Sequence, residues 1–490
     1  MRTFTFKGLF LTVLFMLLGS TAILAADDGS ITTQVPIKLD EAGTLPSKIS
    51  ASEKNLITNL KIVGKINGTD LKFIREMAGR DFNRKKTDGK LSILNLSEAK
   101  IVEGGEAYIS YNSLCENTSN DKLGDFAFEG CSGLTSLTLP SGVTEIGFGA
   151  FDGCKGLTSL TIPSSVTSIG EYAFSGCSGL TSLTLPSSVT SIGKEAFYGC
   201  SGLTSLTIPS GVTSIGWGTF EGCSGLTSLT IPSGVTKIGR FAFYGCSGLT
   251  SLTIPSSVTS IDCWGVFYGC SGLTSLTLPS SVTSIGWGAF YGCSRLTSLN
   301  IPSSVTKIGE SAFQGCSGLT SLTIPSSVTS IGKNAFNGCS GLTNLTLPSS
   351  VTEIGWYAFK GCSGLTSLTI PSSVTSIGPE AFSGCSGLTS IYAYLEKIPK
   401  LGYNVFNGCN AQNCTVYVPT GTVDAYKSSE FGYFEKIVEF DATGIDKVAT
   451  SADVKEVSRY SANGQRLSAP AKGLNIVKYS DGSVKKVVVQ

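Results

Sequence analysis

The feature that most constrains this chain is a repeat whose unit returns at intervals of about 23 residues. The segment GCSGLTSLTIPSSVTSIG occurs at Gly315–Gly332 and again at Gly361–Gly378, and near-copies fill the middle of the sequence. Aligned on the cysteine, the step is constant except from Cys246 to Cys270 and from Cys385 to Cys409, where the unit is longer by a single residue. A strict repeat of this length is typical of stacked architectures, and it overrides the domain count that chain length alone would suggest.

Within one unit, apolar residues recur at fixed places between Ser, Thr and Gly. The segment LTSLTLP predicts a short strand with Leu183 and Leu185 directed inward and Ser182 and Thr184 directed outward. Pro186 ends that strand because it has no amide hydrogen to donate. VTSIG predicts a second short extended segment, and AFYGC predicts a tight helical or 3₁₀ turn.

A single unit cannot fold alone, since its few large apolar side chains bury too little surface to offset the backbone entropy that is lost. Stacked neighbours supply the missing contacts, because each strand can hydrogen-bond to its copy in the next coil. About twelve units follow one another between residues 121 and 409. The sequence therefore predicts a β-rich solenoid with coils of about 23 residues and with a cap at each end.

The full unit resembles a known class. The Leu-x-x-Leu-x-Leu strand, with IPSSVTSIG and then AFxGCSGL after it, is similar to the BspA-like leucine-rich-repeat surface proteins of the Bacteroidetes type over Asp121 to Cys409. The resemblance implies a right-handed solenoid with a parallel sheet on one face. It also implies attachment at the cell surface or binding of host proteins.

The N-terminus reads as a secretory signal at residues 1–25. Arg2 and Lys7 supply positive charge, Leu9 to Leu18 form the apolar segment, and Ala25 precedes the expected cleavage point. An uncleaved anchor is the alternative. No later apolar run approaches the roughly 20 residues that a membrane-spanning helix needs. We therefore expect a secreted or cell-surface protein, exposed outside the outer membrane, with no transmembrane span after cleavage.

The segments that flank the repeat differ from it in composition. Residues 26–120 contain more charge and two leucine-rich strands, one with Leu60 and the other with Leu94, and we predict an N-terminal capping module. An independent binding domain is the alternative. Residues 410–440 predict a closing cap, and the polar residues 441–455 predict a linker.

The last segment, residues 456–490, alternates apolar and polar residues around the turn pairs Asn463-Gly464 and Asp481-Gly482, which predicts small hairpins. It resembles the C-terminal sorting domain of the Por secretion system of Bacteroidetes, and this implies passage across the outer membrane. A purely structural β domain is the alternative. The likeness rests on Tyr460, Asn463, Gly464, Gly473 and Ile476.

Sixteen cysteines in a secreted chain raise the question of disulfides, but thirteen occupy one repeated inward position. Stacked copies would lie about 4.8 Å apart, beyond the roughly 3.5 to 4.5 Å between Cβ atoms that a bridge prefers. We predict buried free thiols that act as small apolar fillers, and a column of single cysteines cannot surround a zinc ion. Cys115, Cys263 and Cys414 lie off the ladder and are better candidates for bonding or reactivity. The predicted ladder comprises Cys131, Cys154, Cys177, Cys200, Cys223, Cys246, Cys270, Cys293, Cys316, Cys339, Cys362, Cys385 and Cys409.

The repeat varies at two places, the pair after Ile-Gly and the residue between Phe and Gly-Cys. All four Trp residues fall in the first place, and Tyr198 and three further tyrosines fall in the second. On consecutive coils these rings would form an aromatic ridge, which suits a glycan or a protein hot spot. The alternative is that each ring only packs on its neighbour and shields the turn. The candidate ligand-binding residues are Trp217, Phe241, Tyr244, Trp264, Tyr268, Trp287, Tyr291 and Trp356.

Charge and composition exclude several functions. Thirty-six basic and 35 acidic residues leave a net charge of +1, without the concentrated basic patch that nucleic acid requires. Histidine is absent, so a Ser-His-Asp or Cys-His site cannot form. No phosphate-binding motif is present. We interpret the carboxylates on the coils as scattered and solvated charges, with no shared pocket: Glu171, Glu195, Glu221, Glu310 and Glu380.

The sequence thus predicts a secreted or surface-displayed binding protein, an adhesin, with no catalysis, no cofactor and no metal. Its expected partners are host extracellular or surface proteins, glycans, or the surfaces of other bacteria. Two alternatives stay open: a carbohydrate-active enzyme or its accessory module, and a structural component of a surface coat.

Overall fold

The computed structural model describes residues 28–111, 114–261 and 263–440, and four strands nearer the C-terminus. Within the solenoid, parallel coils stack in the register set by the repeat, about 23 residues apart, and this confirms the predicted fold class. Among the described residues, no helix has the length and apolar character needed to cross a membrane.

The first repeated strand of each coil forms what we name the leucine ladder. Copies pair in parallel register, with Ser205 opposite Ser228 and Leu206 opposite Leu229. Leu206 is buried, whereas Ser205 and Thr207 are exposed, as the alternation predicts. The strands are Ser136–Thr138, Ser159–Thr161, Ser182–Leu183, Ser205–Thr207, Ser228–Thr230, Ser251–Thr253, Ser275–Thr277, Ser298–Asn300, Ser321–Thr323, Asn344–Thr346, Ser367–Ile370 and Ser390–Ala393.

A second parallel ladder, the isoleucine ladder, runs along the solenoid at the predicted VTSIG segment. Ile169 lies opposite Ile146 and Ile192, and all three side chains are buried. In the first of the two longer coils, between Cys246 and Cys270, an isolated bridge from Ile261 to Ile285 takes the place of a strand. The strands are Lys122–Leu123, Glu145–Ile146, Ser168–Ile169, Ser191–Ile192, Ser214–Ile215, Lys237–Ile238, Ser284–Ile285, Lys307–Ile308, Ser330–Ile331, Glu353–Ile354, Ser376–Ile377 and Lys400–Leu401.

The AFxGC segment makes the tight turn that the sequence predicts, but only alternate amides make the hydrogen bond of a 3₁₀ helix. The Phe174 amide donates to Ala196 of the next coil at 2.8 Å, while the Ser175 amide donates back to Tyr172 at 3.0 Å. The Gly176 amide again donates to the next coil, to Tyr198 at 2.7 Å. Because alternate amides bond across coils, these residues form hydrogen-bonded turns in place of a continuous 3₁₀ or α segment.

Each of these turns contributes one phenylalanine to the phenylalanine column in the core. Neighbouring rings lie 5.2 to 5.9 Å apart between centroids, with planes only 3° to 10° from parallel. Aromatic pairs at such spacing favour offset stacking. The column comprises Phe128, Phe151, Phe174, Phe197, Phe220, Phe243, Phe267, Phe290, Phe313, Phe336, Phe359, Phe382 and Phe406.

The thirteen aligned cysteines lie beside this column, buried and without disulfide bonds. They are more than apolar fillers, because each thiol after the first donates a hydrogen bond across coils. The Cys177 Sγ atom lies 3.1 Å from the carbonyl oxygen of Phe151, and the Cys200 Sγ atom lies 3.0 Å from that of Phe174. The thiol therefore links one coil to the turn of the coil before it.

The N-terminal segment continues the leucine ladder with longer strands. Val35–Leu39, Asn59–Ile66 and Ile93–Ile101 pair in parallel with one another and with the first repeat strand. Leu60, Ile62, Leu94 and Leu96 are buried beneath them. The remaining elements are the helices Leu45–Lys48 and Gly68–Met77 and the antiparallel strands Gly104–Tyr111 and Leu114–Thr118.

The first coil of the repeat has carbonyl groups that no preceding coil can satisfy. Elsewhere, a turn carbonyl accepts an amide from the coil before it, as Ala150 accepts from Phe128 at 2.7 Å. The equivalent carbonyls of the first coil belong to Asp125, Ala127 and Glu129. Buried carbonyls need a donor, so the cap must supply one to each.

Two buried side chains of the N-terminal segment supply these donors. The Tyr108 hydroxyl donates to the Asp125 carbonyl at 2.7 Å. The Arg75 guanidinium donates to the carbonyls of Ala127 at 3.0 Å and Glu129 at 3.4 Å, and its side chain is fully buried. Arg75 and Tyr108 therefore donate hydrogen bonds to carbonyl groups that, in the other coils, accept from the amides of a preceding coil.

At the other end, the chain continues the leucine ladder past the last repeat. Strands Thr415–Pro419 and Lys436–Phe440 extend the leucine ladder in parallel, and they are separated by the helix Val423–Lys427 and the 3₁₀ helix Glu430–Tyr433. Phe431 and Phe434 pack on Phe406, the last ring of the phenylalanine column, at centroid distances of 4.9 and 5.1 Å.

Beyond residue 440 the structure describes one small antiparallel sheet. Its strands are Glu456–Ser461, Arg466–Leu467, Gly473–Tyr479 and Val484–Val489. The signal segment, the linker and the two turn pairs of the sequence prediction lie outside the described residues.

Candidate functional site

The variable positions of the repeat come together along one edge of the solenoid, where each coil follows Ile-Gly with two residues. The second residue of this pair has a left-handed backbone in coil after coil, with φ between 52° and 57° from Tyr172 to Asn404. Glycine adopts this conformation freely, whereas other residues are strained in it. The pattern explains why Gly218, Gly265 and Gly288 follow three of the four Trp residues.

A column of tyrosines forms the centre of this edge. The rings of Tyr244 and Tyr268 stack 4.9 Å apart at 17°, and those of Tyr268 and Tyr291 stack 4.2 Å apart at 3°. Phe241 meets Tyr244 edge-on at 5.7 Å. Burial, together with the neighbouring Tyr291, raises the pKa of Tyr268 to about 12, so its phenol keeps its proton at neutral pH.

Two tryptophans lie beside the tyrosine column. The Trp264 and Trp287 rings are 5.8 Å apart at 47°, and Trp287 lies 6.4 Å from Tyr268. Arg240 places its guanidinium carbon 5.1 Å from the centroid of Trp264, within cation–π distance. Trp264 is nevertheless 53% exposed and Trp287 38% exposed, so packing among the rings leaves much of both indoles in contact with solvent.

The structure thus brings six of the eight candidate residues into one cluster, which we call the aromatic cluster. Trp217 and Trp356 are about half exposed, at 48% and 54%, but among the described residues they make no ring contact with it. The cluster residues are Phe241, Tyr244, Trp264, Tyr268, Trp287 and Tyr291.

Carboxylates along the same edge are mostly neutralised by a lysine of a neighbouring coil. Lys194 lies 3.2 Å from Glu171, Lys333 lies 3.5 Å from Glu310, and Lys360 lies 2.6 Å from Glu380. These pairs are at least partly exposed, and exposed pairs contribute little to stability. They show, however, that a carboxylate on this edge usually has a lysine close to it.

Glu195 and Glu221 depart from that balance. Their side chains meet at Gly218, where an added Cβ would lie 2.8 Å from the Glu195 Cγ atom and 3.1 Å from a Glu221 carboxylate oxygen. Burial, and secondly the charge of Glu195, raise the pKa of Glu221. Neither carboxylate forms a salt bridge within the described part of the chain. The prediction of scattered, solvated charges was therefore wrong for this pair.

Position in the repeat also links Glu221 to the tyrosine column. Glu221 occupies the place between Phe and Gly-Cys that Tyr198 holds in the preceding coil and Tyr244 in the following coil. The Gly199 amide donates to the Glu221 carbonyl at 2.7 Å, and the Gly222 amide donates to the Tyr244 carbonyl at 2.7 Å. Glu221 thus interrupts a row of tyrosines, a signal that the sequence alone already contained.

The cysteines off the ladder occupy three different environments. Cys115 is exposed, Cys263 is half-buried next to Trp264, and Cys414 is buried. All three are free thiols. Across residues 28–111, 114–261 and 263–440, no group of three or more Cys, Asp or Glu side chains is arranged to hold a metal ion.

The leucine ladder presents an exposed face rich in hydroxyl groups. Where the ladder pairing is interrupted between Ser321–Thr323 and Asn344–Thr346, an open cleft of about 380 Å³ is lined by Thr320, Leu322 and Asn344. Some hydroxyls bond within the solenoid, as Thr204 does to the Thr181 carbonyl at 3.1 Å. This face is polar and uniform, and it lacks the convergent polar groups of a small-molecule site.

These observations define the class of the protein: a parallel β-solenoid of leucine-rich repeats whose sequence varies along one exposed edge. Residues 108–225, 190–320 and 308–431 match the family model described as BspA type leucine rich repeat region, with 6 copies. The chain belongs to this family of bacterial surface proteins. Leucine-rich repeat proteins of this kind are generally binding proteins and not enzymes.

Solved structures are similar to this chain as well. A leucine-rich repeat protein from Bacteroides ovatus is 30% identical, with 72% of this chain and 84% of that chain covered and a TM-score of 0.59. A leucine rich cell surface protein from Faecalibacterium prausnitzii is 33% identical, with 58% of this chain and 85% of that chain covered and a TM-score of 0.42. No curated protein matches the chain.

Proposed function

We propose that this protein is a secreted, surface-displayed adhesin without catalytic activity, and that the aromatic cluster contacts its ligand. The family assignment supports a surface binding role. Residues 1–25 would direct export, and residues 456–490 would act as the sorting segment that carries the chain across the outer membrane. Its partners would be host extracellular or surface proteins, glycans, or the surfaces of other bacteria.

The observation that carries this proposal is the exposure of large aromatic side chains on consecutive coils. Trp264, Trp287 and Tyr244 remain 53%, 38% and 37% exposed although they pack against other rings. A contiguous exposed apolar patch on a monomer often marks an interaction site, and Trp and Tyr dominate binding hot spots. The solenoid provides the rigid support, since the turn that bears each ring is hydrogen-bonded to the next coil.

The test is a binding screen of the full mature chain against extracellular-matrix proteins, glycans and bacterial cells, followed by variants. Replacing the cluster residues Trp264 and Trp287 together by Ser should abolish binding of the ligand found, with folding checked by circular dichroism. Trp356→Ser is the matched control, because Trp356 is equally exposed but lies apart from the cluster. Full affinity in the double variant would place the binding site elsewhere.

A further inference from the structure

The tyrosine column has a gap one ring wide. Tyr244, Tyr268 and Tyr291 stack on three consecutive coils, and Tyr198 stands two coils before Tyr244. The coil between them carries Glu221 at the equivalent backbone position, so the column lacks a ring there, and a carboxylate oxygen of Glu221 lies 3.1 Å from where a Cβ on Gly218 would be. Tyr198 is 42% exposed and makes no ring contact within the described residues, so its ring has no aromatic partner in this gap.

Three described neighbours on this edge, Phe241, Arg240 and Gly218, do not fill the gap. Phe241 leans toward the following coil, where an added Cβ on Gly265 would lie 2.8 Å from its ring atoms. Arg240, the cation of the adjacent coil, lies over Trp264 and forms no salt bridge with Glu221 in the described structure. Gly218 contributes no side chain. The position of the missing ring therefore has Tyr198 on the preceding coil and Tyr244 on the following coil, with Glu221 between them, and all three residues are at least partly exposed.

The charge of the gap favours a cation. Glu195 reaches toward Gly218 from the preceding coil, and its only described partner is the neutral Tyr172 hydroxyl at 3.0 Å. Two half-buried carboxylates thus lie together without a positive partner, whereas Glu171, Glu310 and Glu380 each have a lysine. A cation bound here would relieve the repulsion between the two carboxylates.

Shape distinguishes among cations. A guanidinium group is planar, stacks on aromatic faces and pairs with a carboxylate through two parallel hydrogen bonds. An ammonium group is a compact point charge without this flat face or this paired geometry. A gap left by one missing ring therefore suits a planar guanidinium group better than an ammonium group. Trp217, 48% exposed in the same coil as Glu221, offers a further aromatic surface for the rest of an arginine side chain.

We propose that the gap formed by Tyr198, Glu221 and Tyr244 binds the guanidinium group of an arginine presented by a partner protein. The inference rests on the proposed binding role, because it names the chemical group of the partner that binds at the first coil of the aromatic ridge. It selects an arginine-bearing protein segment over a neutral glycan as the ligand of this position.

The first experiment uses short peptides as probes of the full mature chain. Saturation-transfer difference NMR should detect binding of acetyl-Gly-Arg-Gly-amide, with weaker signals for the lysine peptide. The citrulline peptide has nearly the same shape as the arginine peptide but no charge, and it should give no signal. Equal signals for citrulline and arginine would overturn the proposal, because the carboxylate would then contribute nothing.

Variants of Glu221 test the position directly. Glu221→Gln should weaken binding of the arginine peptide by about tenfold, the loss expected when a charged hydrogen-bond partner is removed. Glu221→Tyr should abolish it, because the new ring continues the column and fills the gap. Glu310→Gln removes the same charge from a carboxylate that Lys333 already neutralises. This variant should therefore bind the arginine peptide as well as the unaltered protein does.

The results separate this inference from the broader role. Unchanged peptide binding in Glu221→Gln would refute the guanidinium site, yet the adhesin proposal would stand if the Trp264 and Trp287 double variant still lost its ligand. Conversely, if the double variant kept its ligand while Glu221→Gln lost the arginine peptide, the guanidinium site would be supported and the aromatic cluster would not be the ligand contact.

Discussion

Arg75 donates a hydrogen bond to the Ala127 carbonyl oxygen at 3.0 Å. In the later coils, the equivalent carbonyl accepts from a backbone amide of the preceding coil. In a stacked architecture the interior coils satisfy one another, so the end coil is the place where backbone groups remain unpaired. One arginine and one tyrosine, Tyr108, resolve that problem for the first turn of the repeat.

The first prediction concerns this cap. Arg75→Met leaves buried carbonyls, and the partly buried Glu129 carboxylate, with fewer donors, so we expect the free energy of unfolding to fall by about 3 kcal/mol. Urea denaturation followed by circular dichroism measures the change. Lys72→Met, on the same helix but in a more exposed ion pair with Glu106, should cost no more than about 0.5 kcal/mol. Similar costs for both variants would contradict the capping role.

A second prediction follows from the left-handed backbone at Ser311, where φ is 56°. Ser311→Gly should stabilise the protein by about 1 kcal/mol, because glycine carries no Cβ penalty in this region. Ser326→Gly is the control: Ser326 is exposed and is not among the residues with positive φ, so the same change should destabilise slightly. Thermal melts of both variants measure the difference, and a fall in stability for Ser311→Gly would contradict the expected relief of strain.

The third prediction concerns the thiols. Burial raises the pKa of ladder cysteines such as Cys223 to about 12, so they should react with a thiol reagent only after unfolding. In the native protein we expect rapid modification of Cys115 and Cys263 alone, since only these two thiols are not buried. Denaturation without reductant should expose all 16. Fewer than about ten free thiols in the denatured chain would show that bridges form along the ladder, contrary to the spacing argument.

The fourth prediction is a pH dependence of stability at Glu221. Its pKa is raised in the folded protein, so the folded state holds the proton more tightly than the unfolded chain and loses stability as pH rises through that raised pKa. Glu221→Gln should therefore raise the melting temperature at pH 7. The advantage should vanish at about pH 3, below the usual glutamate pKa of about 4.3. An equal gain at both pH values would point to packing and not to charge.

Most of the fold could be predicted from the sequence, because each unit of the repeat places its buried residues at the same spacing. The spacing of Leu183, Val189 and Phe197 identifies the buried face of a coil, and the same spacing in the next coil identifies its partner. The N-terminal strands were predictable for the same reason, since Leu60 and Leu94 continue the pattern.

Contacts between coils at single positions were harder to predict. The meeting of Glu195 with Glu221 depends on a left-handed residue that leans into the next coil, and periodicity gives no information on that backbone angle. The role of Arg75 was equally hidden, because its acceptors are backbone atoms distant in the chain and have no sequence signature. Both features depend on side chains at positions that the repeat does not specify.

The thiol-to-carbonyl bond between consecutive coils, as from Cys200 to Phe174, has a consequence for how such a gene can change. Every interior coil offers its successor the same acceptors and the same ring. Loss or duplication of one whole unit by recombination would therefore rejoin surfaces that already fit, whereas loss of part of a unit would not. The molecule can lengthen or shorten by entire turns while its two ends and its variable edge are kept.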